Sequence, residues 1–490
     1  MSDIAELSRQ IDSLLSEVSR EGDARAAGWQ SCIEHPDFAE SARNLAHYLA
    51  LRHRDLRPLQ RPLMQLGLSS LGRLESRVLP GLRAVRGALA ALAGRPAEVE
   101  PAPDAFFAGE ARLAERSRAV FGPPNPNRPV SLLVTCPATA AEDPSFMLEL
   151  AARGVEALRI NCAHDDAAAW QRMIDHARAA ERATGRRFKI LMDLAGPKIR
   201  TGAVRLPRKE KRIARDDLLA VVPPGGLDAI DVAIKAFAVE CTLPQALAAA
   251  RPGHRLFVDD GKLGAVVESV ADWGFLARVT RAEDKGLRLK SEKGLNFPDS
   301  DLQVAALTDK DRGDLDFVAA HADGIGFSFV QSAGDVALLQ AALADRRPDD
   351  WRELSLILKI ETPRAVRNLP DILVQAAGRQ PTAIMIARGD LAVEIGFARL
   401  AEMQEEILWI GEAAHVPVIW ATQVLEHLIK KGTPSRGEMT DAAMAARAEC
   451  VMLNKGPYLL DAIAELDTLL GRMEENQHKK TPQLRALRSW

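Results

Sequence analysis

Eight short apolar runs, each followed by a segment of helical pattern, constrain this chain more than any other feature. They are SLLVT at 131, ALRINC at 157, FKILMDL at 188, GIGFSFV at 324, SLILKIE at 355, AIMIARGD at 383, VPVIWATQ at 416 and CVMLNK at 450. Each is nearly continuous in apolar residues, as strands buried on both faces of a parallel sheet require. Helical stretches at 146–153, 167–184, 399–414 and 441–449 lie between them. Eight β-then-α units in about 250 residues of barrel sequence predict an α/β fold, a closed (β/α)8 TIM barrel. A doubly wound open sheet is the alternative.

Over a hundred residues separate the third run from the fourth. Within them LLAVVPP, RLFVDDGKL, GAVVESV and GFLARVT are parted by Gly, Pro and Asp turns, so a small all-β domain is expected to be inserted after strand three. Upstream, Ile4, Leu7, Ile11, Leu14, Leu15 and Val18 fall on one face of a helix over 4–18. A Leu-, Ala- and Arg-rich tract from Ser41 to Leu92 is expected to be broken into shorter helices by Pro58, Pro62 and Pro80. A helical bundle is the reading here. A membrane-lying amphipathic segment is the weaker one, because its apolar face carries almost no Trp or Phe. The Pro- and Gly-rich stretch from Gly94 to Pro129 reads as linker or wrapping composition around one short helical stretch, with a domain boundary near Pro129. The expected division is 1–128 helical extension and linker, 129–202 and 293–476 barrel, 203–292 inserted β-domain acting as a lid, and 477–490 tail.

Charge narrows the function classes. With 64 basic and 67 acidic residues and a net charge of −3, the chain lacks the electrostatic footprint of a nucleic-acid or membrane-surface binder. Five scattered cysteines without CxxC spacing exclude a disulfide framework or a thiolate zinc site, and Cys136 and Cys162 read as core residues. The MSDIAEL start and the lack of a long apolar stretch lead us to expect no secretory signal, no membrane span and a cytoplasmic location.

Polar residues on the buried runs cluster at their C-terminal ends: Arg159 and Asn161 with His164 beyond, then Asp193 with Lys198 and Arg200 in AGPKIRTG. Ser328, Lys359 and Glu361, Arg388 and Asp390, and Thr422 with Gln423 follow on later strands. In a barrel these ends converge on the face that carries active sites. Lys359 and Glu361, two apart, point to the same side, and buried charges of this kind are normally paired or metal-bound. A purely structural salt bridge is the plainer reading of that pair. Glu361 and Asp390, on adjacent strands, make a two-carboxylate site suited to Mg²⁺, whose other positions go to water and substrate oxygens. With Lys359 and Arg159 alongside, a phosphorylated anionic substrate fits. Gly389 is expected to end its strand and Asp390 to open a helical turn whose N–H groups face a substrate carboxylate. No GxxxxGK[ST] occurs, so a P-loop is excluded.

Together LRINCAH, LMDLAGPKIRTG, LFVDDGKL, EKGLNFP, LKIETP, MIARGDLAVEI, VIWATQVLEHLIKKGTPSRGEMTD and CVMLN resemble the pyruvate kinase family over 131–472. The resemblance implies a barrel with an inserted β-domain. It also implies Mg²⁺-dependent phosphoryl transfer from phosphoenolpyruvate to ADP, yielding pyruvate and ATP. By that resemblance Lys359 contacts the phosphoryl group in flight, Glu361 and Asp390 hold Mg²⁺, and Arg159 and Ser328 bind the substrate phosphate. Gly389, Asp390 and Thr422 complete the substrate site, Thr422 lying near the enolate carbon that must be protonated. Arg200, Lys198, His164 and Asn161 fall on the nucleotide side, His164 having a packed histidine as its plainer reading. Asn161 and Asp193 match positions that ligate a monovalent cation.

The sequence departs from the family pattern in places. Two further potassium ligands are here Ala163 and Leu194, and Lys198 stands where potassium-dependent members carry Glu, so no K⁺ requirement is expected. TxGP appears as TCPAT, and SGET is replaced by Asn454, Lys455, Gly456 and Pro457, which affects the proton relay to the enolate. The family's C-terminal effector domain has no counterpart and the N-terminal helices have none in the family, so allosteric control of the usual kind is not expected. A homo-oligomer, dimer before tetramer, is. A metal-dependent aldolase or lyase of the related barrels, or a catalytically silent regulatory homologue, are the competing readings.

Overall fold

The computed structural model describes residues 4–96, 101–207, 211–230, 236–300, 302 and 304–483. Residues 97–100 of the linker stretch, the first three residues and the tail beyond 483 lie outside the described residues. Ser131–Thr135, Ala157–Asn161, Lys189–Asp193, Gly324–Phe327, Ser355–Ile360, Thr382–Ala387, Val418–Ala421 and Cys450–Leu453 pair in parallel, in that order, and the last closes onto the first. These are the eight runs read from the sequence, so the open-sheet alternative falls.

Inward-facing Leu133, Leu191, Ile357, Met385, Ile419 and Met452 share one cluster with Val120 and Phe121, from the end of helix Pro103–Phe121. That helix therefore stops the barrel at the N-terminal ends of the strands and leaves the C-terminal face open. Between strands seven and eight the helix spans Arg436–Ala445 rather than the expected 441–449. A capping box starts it early: the Ser435 hydroxyl accepts from the Glu438 amide and the Glu438 carboxylate accepts from the Ser435 amide.

The insertion forms a seven-stranded sheet ordered Leu295–Asn296, Arg255–Val258, Leu263–Ala271, Gly274–Arg281, Leu218–Val222, Phe237–Cys241, Thr201–Arg205. Leu219, Val221, Phe237, Val239, Phe275 and Phe297 give it a core of its own. The four β-like runs read from the sequence supply its central strands. An antiparallel bridge between Arg200 and Gly294 ties its two connections to the barrel together.

The N-terminal segment is helical at Ile4–Trp29, Pro36–Arg52, Arg57–Gln65, Val78–Leu92 and Pro103–Phe121. The first helix runs eleven residues past the expected 4–18, because no proline interrupts 19–28 and Gly22 lets it press against His47. The tract is divided into shorter helices as expected, but the prolines begin helices or lie within them and do not end them. Pro58 and Pro80 sit in the first turns of their helices, where the missing N–H is no loss, and Pro62 lies inside Arg57–Gln65. Ile4–Trp29, Pro36–Arg52 and Val78–Leu92 pack on one another as the expected bundle, and Leu7, Ile11, Leu45 and Leu82 belong to the same core cluster as the outer face of the barrel, on which the bundle docks.

His415, just before strand seven, anchors that docking. Its Nε2–H donates to the Ser76 carbonyl at 3.0 Å and its Nδ1 accepts from the Ser41 hydroxyl at 2.8 Å, while Ser41 Oγ accepts from Arg116 at 2.9 Å. Burial holds the imidazole down at about 4. The unfolded chain, with a histidine near its usual ~6.5, takes up this proton first as pH falls. The stabilisation, complete above about pH 6.5, is lost on the way down to about pH 4, to a total of about 3 kcal/mol. Thermal unfolding across that range should show the decline, and His415→Gln should flatten it. An equal slope in the variant would contradict the assignment.

Candidate active site

Strand ends carry the polar residues to one face, and burial decides which can pair. Lys359 is the next-to-last residue of strand five, with Glu361 just past its end. The Lys359 ammonium donates to Ser328 Oγ at 2.6 Å and sits 3.4 Å from Asp193 Oδ2 and 3.4 Å from Glu361 Oε1. Burial works to lower its pKa, but the charges of Glu361 and Asp193 outweigh it and hold the ammonium above its ordinary value, so it stays charged. Burial likewise pushes the Glu361 carboxyl above its ordinary range, with Asp390 adding to the push and Lys359 opposing it. The Phe329 amide donates to Glu361 Oε2 at 2.6 Å.

Asp193 lies 2% exposed beneath the cavity and accepts from Arg159 Nε at 2.8 Å. Burial acts to raise its carboxyl, yet Arg159 and Lys359 prevail and hold it below the ordinary range. A Cβ on Gly326 of strand four would meet its Oδ1 at 2.0 Å, so only glycine leaves room for this carboxylate. Asp193 is thus a shared counter-ion for Arg159 and Lys359, and Asn161 Oδ1 is taken by the Ala163 amide at 3.1 Å.

Arg159, Asn161, His164, Lys198, Arg200, Ser328, Lys359, Glu361, Asp390 and Thr422 line one cavity of about 260 Å³. Gly389 reaches it through its amide, which donates to Thr422 Oγ1 at 2.8 Å. The strand ends at Ala387 and the helix spans Arg388–Ile395, so Asp390 is its third residue rather than its opener, and the Gly389 amide already has a partner. Thr422 itself has φ 65°, a left-handed conformation unusual for a β-branched residue and costing about 1–3 kcal/mol. Arg388 holds that turn by donating to the carbonyls of Ala421 and Thr422 and to Asp441. Burial lowers the His164 imidazole, and Lys455 adds to the effect.

Sequence reasoning missed Thr135, whose hydroxyl accepts from Arg159 at 3.2 Å, and the Phe329 amide. The amide leaves no side-chain signal. The pairing of Arg388 with Asp441 was also missed, although both stand in the motifs quoted above.

Two carboxylates in one cavity, one of them pushed towards protonation by burial and by its neighbour, are a donor set that a divalent cation relieves and fits. Among the described residues no cluster of three or more His, Cys, Asp or Glu suited to a metal occurs.

Fold and site together define a barrel enzyme with a second β-domain, equipped to hold a multiply charged anion beside a divalent metal. The model of the pyruvate kinase barrel domain matches residues 128–461. A pyruvate kinase of Methylorubrum extorquens is 32% identical over 69% of this chain and 67% of its own length. One from Corynebacterium efficiens is 35% identical over 65% of this chain and 63% of its own, and one from Agrobacterium vitis 32% identical over 72% and 70%. The chain belongs to the pyruvate kinase family, and it spans about two thirds of the length of these relatives. The aldolase or lyase reading is not favoured. No described helix is long and apolar enough to cross a membrane.

Proposed function

We propose that this chain transfers the phosphoryl group of phosphoenolpyruvate to ADP, giving pyruvate and ATP, with Mg²⁺ as its divalent ion. The observation that carries this reading is the buried Lys359 ammonium, kept charged and bonded to Ser328 in the wall of the cavity. Lys359, Arg159 and Ser328 bind the phosphate and neutralise charge on the group in transfer, where preorganised cations act most strongly. Glu361 and Asp390 hold Mg²⁺, which neutralises phosphate and enolate oxygens when bound. Arg200, Lys198, His164 and Asn161 face the nucleotide. The Thr422 hydroxyl, whose oxygen accepts from Gly389, relays a proton to the enolate carbon, taking one up from water as it gives one, with Asn454 lining the same cavity in place of the family's SGET serine.

The Asp193 carboxylate is neutralised by Arg159 and Lys359, and Lys198 supplies a further cation, so no K⁺ is needed. The insert 203–292 serves as lid, the protein works in the cytoplasm, and it assembles as a homo-oligomer, a dimer before a tetramer. Pyruvate formation in a coupled assay tests the reaction, and no pyruvate with phosphoenolpyruvate, ADP and Mg²⁺ present would refute it. The rate is expected to hold when K⁺ is replaced by tetramethylammonium, and strong activation by K⁺ would contradict the account of Lys198.

A further inference from the structure

The helix Arg388–Ile395 does more than present Asp390. Its residues 390, 393 and 394 share one face, by the i, i+3, i+4 spacing of a helix. Each meets the inserted sheet or its connections. Lys198 Nζ lies 3.0 Å and 3.1 Å from the two Asp390 carboxylate oxygens. A Cβ on Gly261, in the turn between two lid strands, would meet Val393 at 3.6 Å. Asn296 Nδ2, on the returning strand of the lid, donates to Glu394 Oε1 at 2.9 Å. This helix is therefore the lid's dock on the barrel, and Lys198, two residues before the Arg200–Gly294 bridge, is the contact nearest the hinge.

The geometry points to Lys198 as a built-in counter-ion that takes the divalent ion's place on Asp390, so that metal entry and release of the lid hinge are one event. This rests on the reading of Glu361 and Asp390 as metal ligands. The ammonium engages both oxygens of the very carboxylate a dication must use, and two cations cannot share it at close range without strong repulsion. One must yield, and the two lysines of the cavity differ in their freedom to do so. Lys359 is 8% exposed and bonded on three sides, by Ser328, Asp193 and Glu361. The Lys198 side chain is 27% exposed, on a flexible stem in a connecting segment, and Asp390 is the partner its ammonium has among the described residues. Lys198 lets go of Asp390 while staying in the cavity it lines, where it remains the further cation, and the lid keeps two of its three contacts with the dock.

The test uses Mn²⁺ alone, titrated into the full chain without substrates, with affinity read by calorimetry and hinge protection by hydrogen exchange at 198–205 and 292–296. In the parent chain Mn²⁺ should speed exchange at the hinge. Lys198→Met should bind Mn²⁺ about fivefold more tightly, the equivalent of one partly buried ion pair. Its hinge should exchange fast from the start and no longer respond to metal. Equal or weaker binding in that variant, or a hinge indifferent to Mn²⁺ in the parent chain, would overturn the coupling. Asp390→Asn separates the two readings. If it binds Mn²⁺ as the parent chain does, the ligand assignment fails and the coupling with it. If it loses the ion while Lys198→Met gains nothing, the coupling alone fails.

Discussion

Lys359→Met is expected to lower turnover by about 10³ or more while leaving the barrel folded, because it deletes a preorganised charge from the group in transfer and little else. Methionine keeps the length of the stem and fills the same space with a soft apolar chain. The charges left behind have other partners. Asp193 retains Arg159 at 2.8 Å, and Glu361 retains the Phe329 amide at 2.6 Å. Glu361 is already pushed by burial towards protonation, so it answers the loss of its ammonium neighbour by taking up a proton instead of forcing the strand apart. Ser328 still donates to the Leu194 carbonyl at 2.7 Å. The coupled pyruvate assay at saturating substrates, set beside a thermal melt by circular dichroism, checks both halves. Turnover equal to that of the parent chain would remove Lys359 from the chemistry, and a collapsed melt would make it a structural residue first.

The barrel was legible because fully buried parallel strands leave a signature that no exposed element imitates: eight apolar runs, with the polar residues gathered near their C-terminal ends. Arg159, Ser328, Lys359, Glu361 and Asp390 meet in one cavity for that reason, the strand ends of a closed barrel having nowhere else to converge. What the sequence hid was mostly backbone. The Phe329 amide on Glu361 and the left-handed turn at Thr422 depend on main-chain geometry, and no residue type announces either. The pairing of Lys198 with Asp390 was hidden differently. The two residues are 192 apart in sequence, and only the fold of the lid onto the helix Arg388–Ile395 joins them. The N-terminal helices were legible as helices but not as a surface. The spacing of Leu7, Ile11 and Val18 shows an apolar face without showing that the helices Pro36–Arg52 and Val78–Leu92 cover it, or that the bundle they form docks on the barrel. Proline misled there, since its cost depends on its place within a helix, and at Pro58 and Pro80 that place is the first turn.

Arg128→Ala is expected to cost about 3–5 kcal/mol of stability, although the residue lies far from the cavity in sequence and reads as one linker arginine among many. Its side chain is fully buried where the barrel closes. Its guanidinium donates to both oxygens of Glu156, at 2.9 Å and 3.1 Å, to Asp467 at 2.8 Å on the last helix, and to the carbonyls of Gly154 and Val130. Glu156 in turn accepts from the amides of Leu132 at 2.8 Å and Asn125 at 3.0 Å. One fork thus ties the linker, the first strand, the approach to the second and the helix after the eighth. Even with Arg128 in place, burial keeps the Glu156 carboxyl above its ordinary range. Alanine removes the partner and leaves a buried carboxylate and two carbonyls without it, the costly way to break such a pair. Lysine should recover only part of the loss, since a point charge cannot reproduce the fork. Adding Glu156→Gln to the alanine variant should cost less than the two changes summed, because the stranded charge goes with it. Denaturant unfolding followed by far-ultraviolet circular dichroism measures all of these. A loss below about 1 kcal/mol in Arg128→Ala, the scale of an exposed pair, would mean that apolar packing alone holds the seam between the first and last strands.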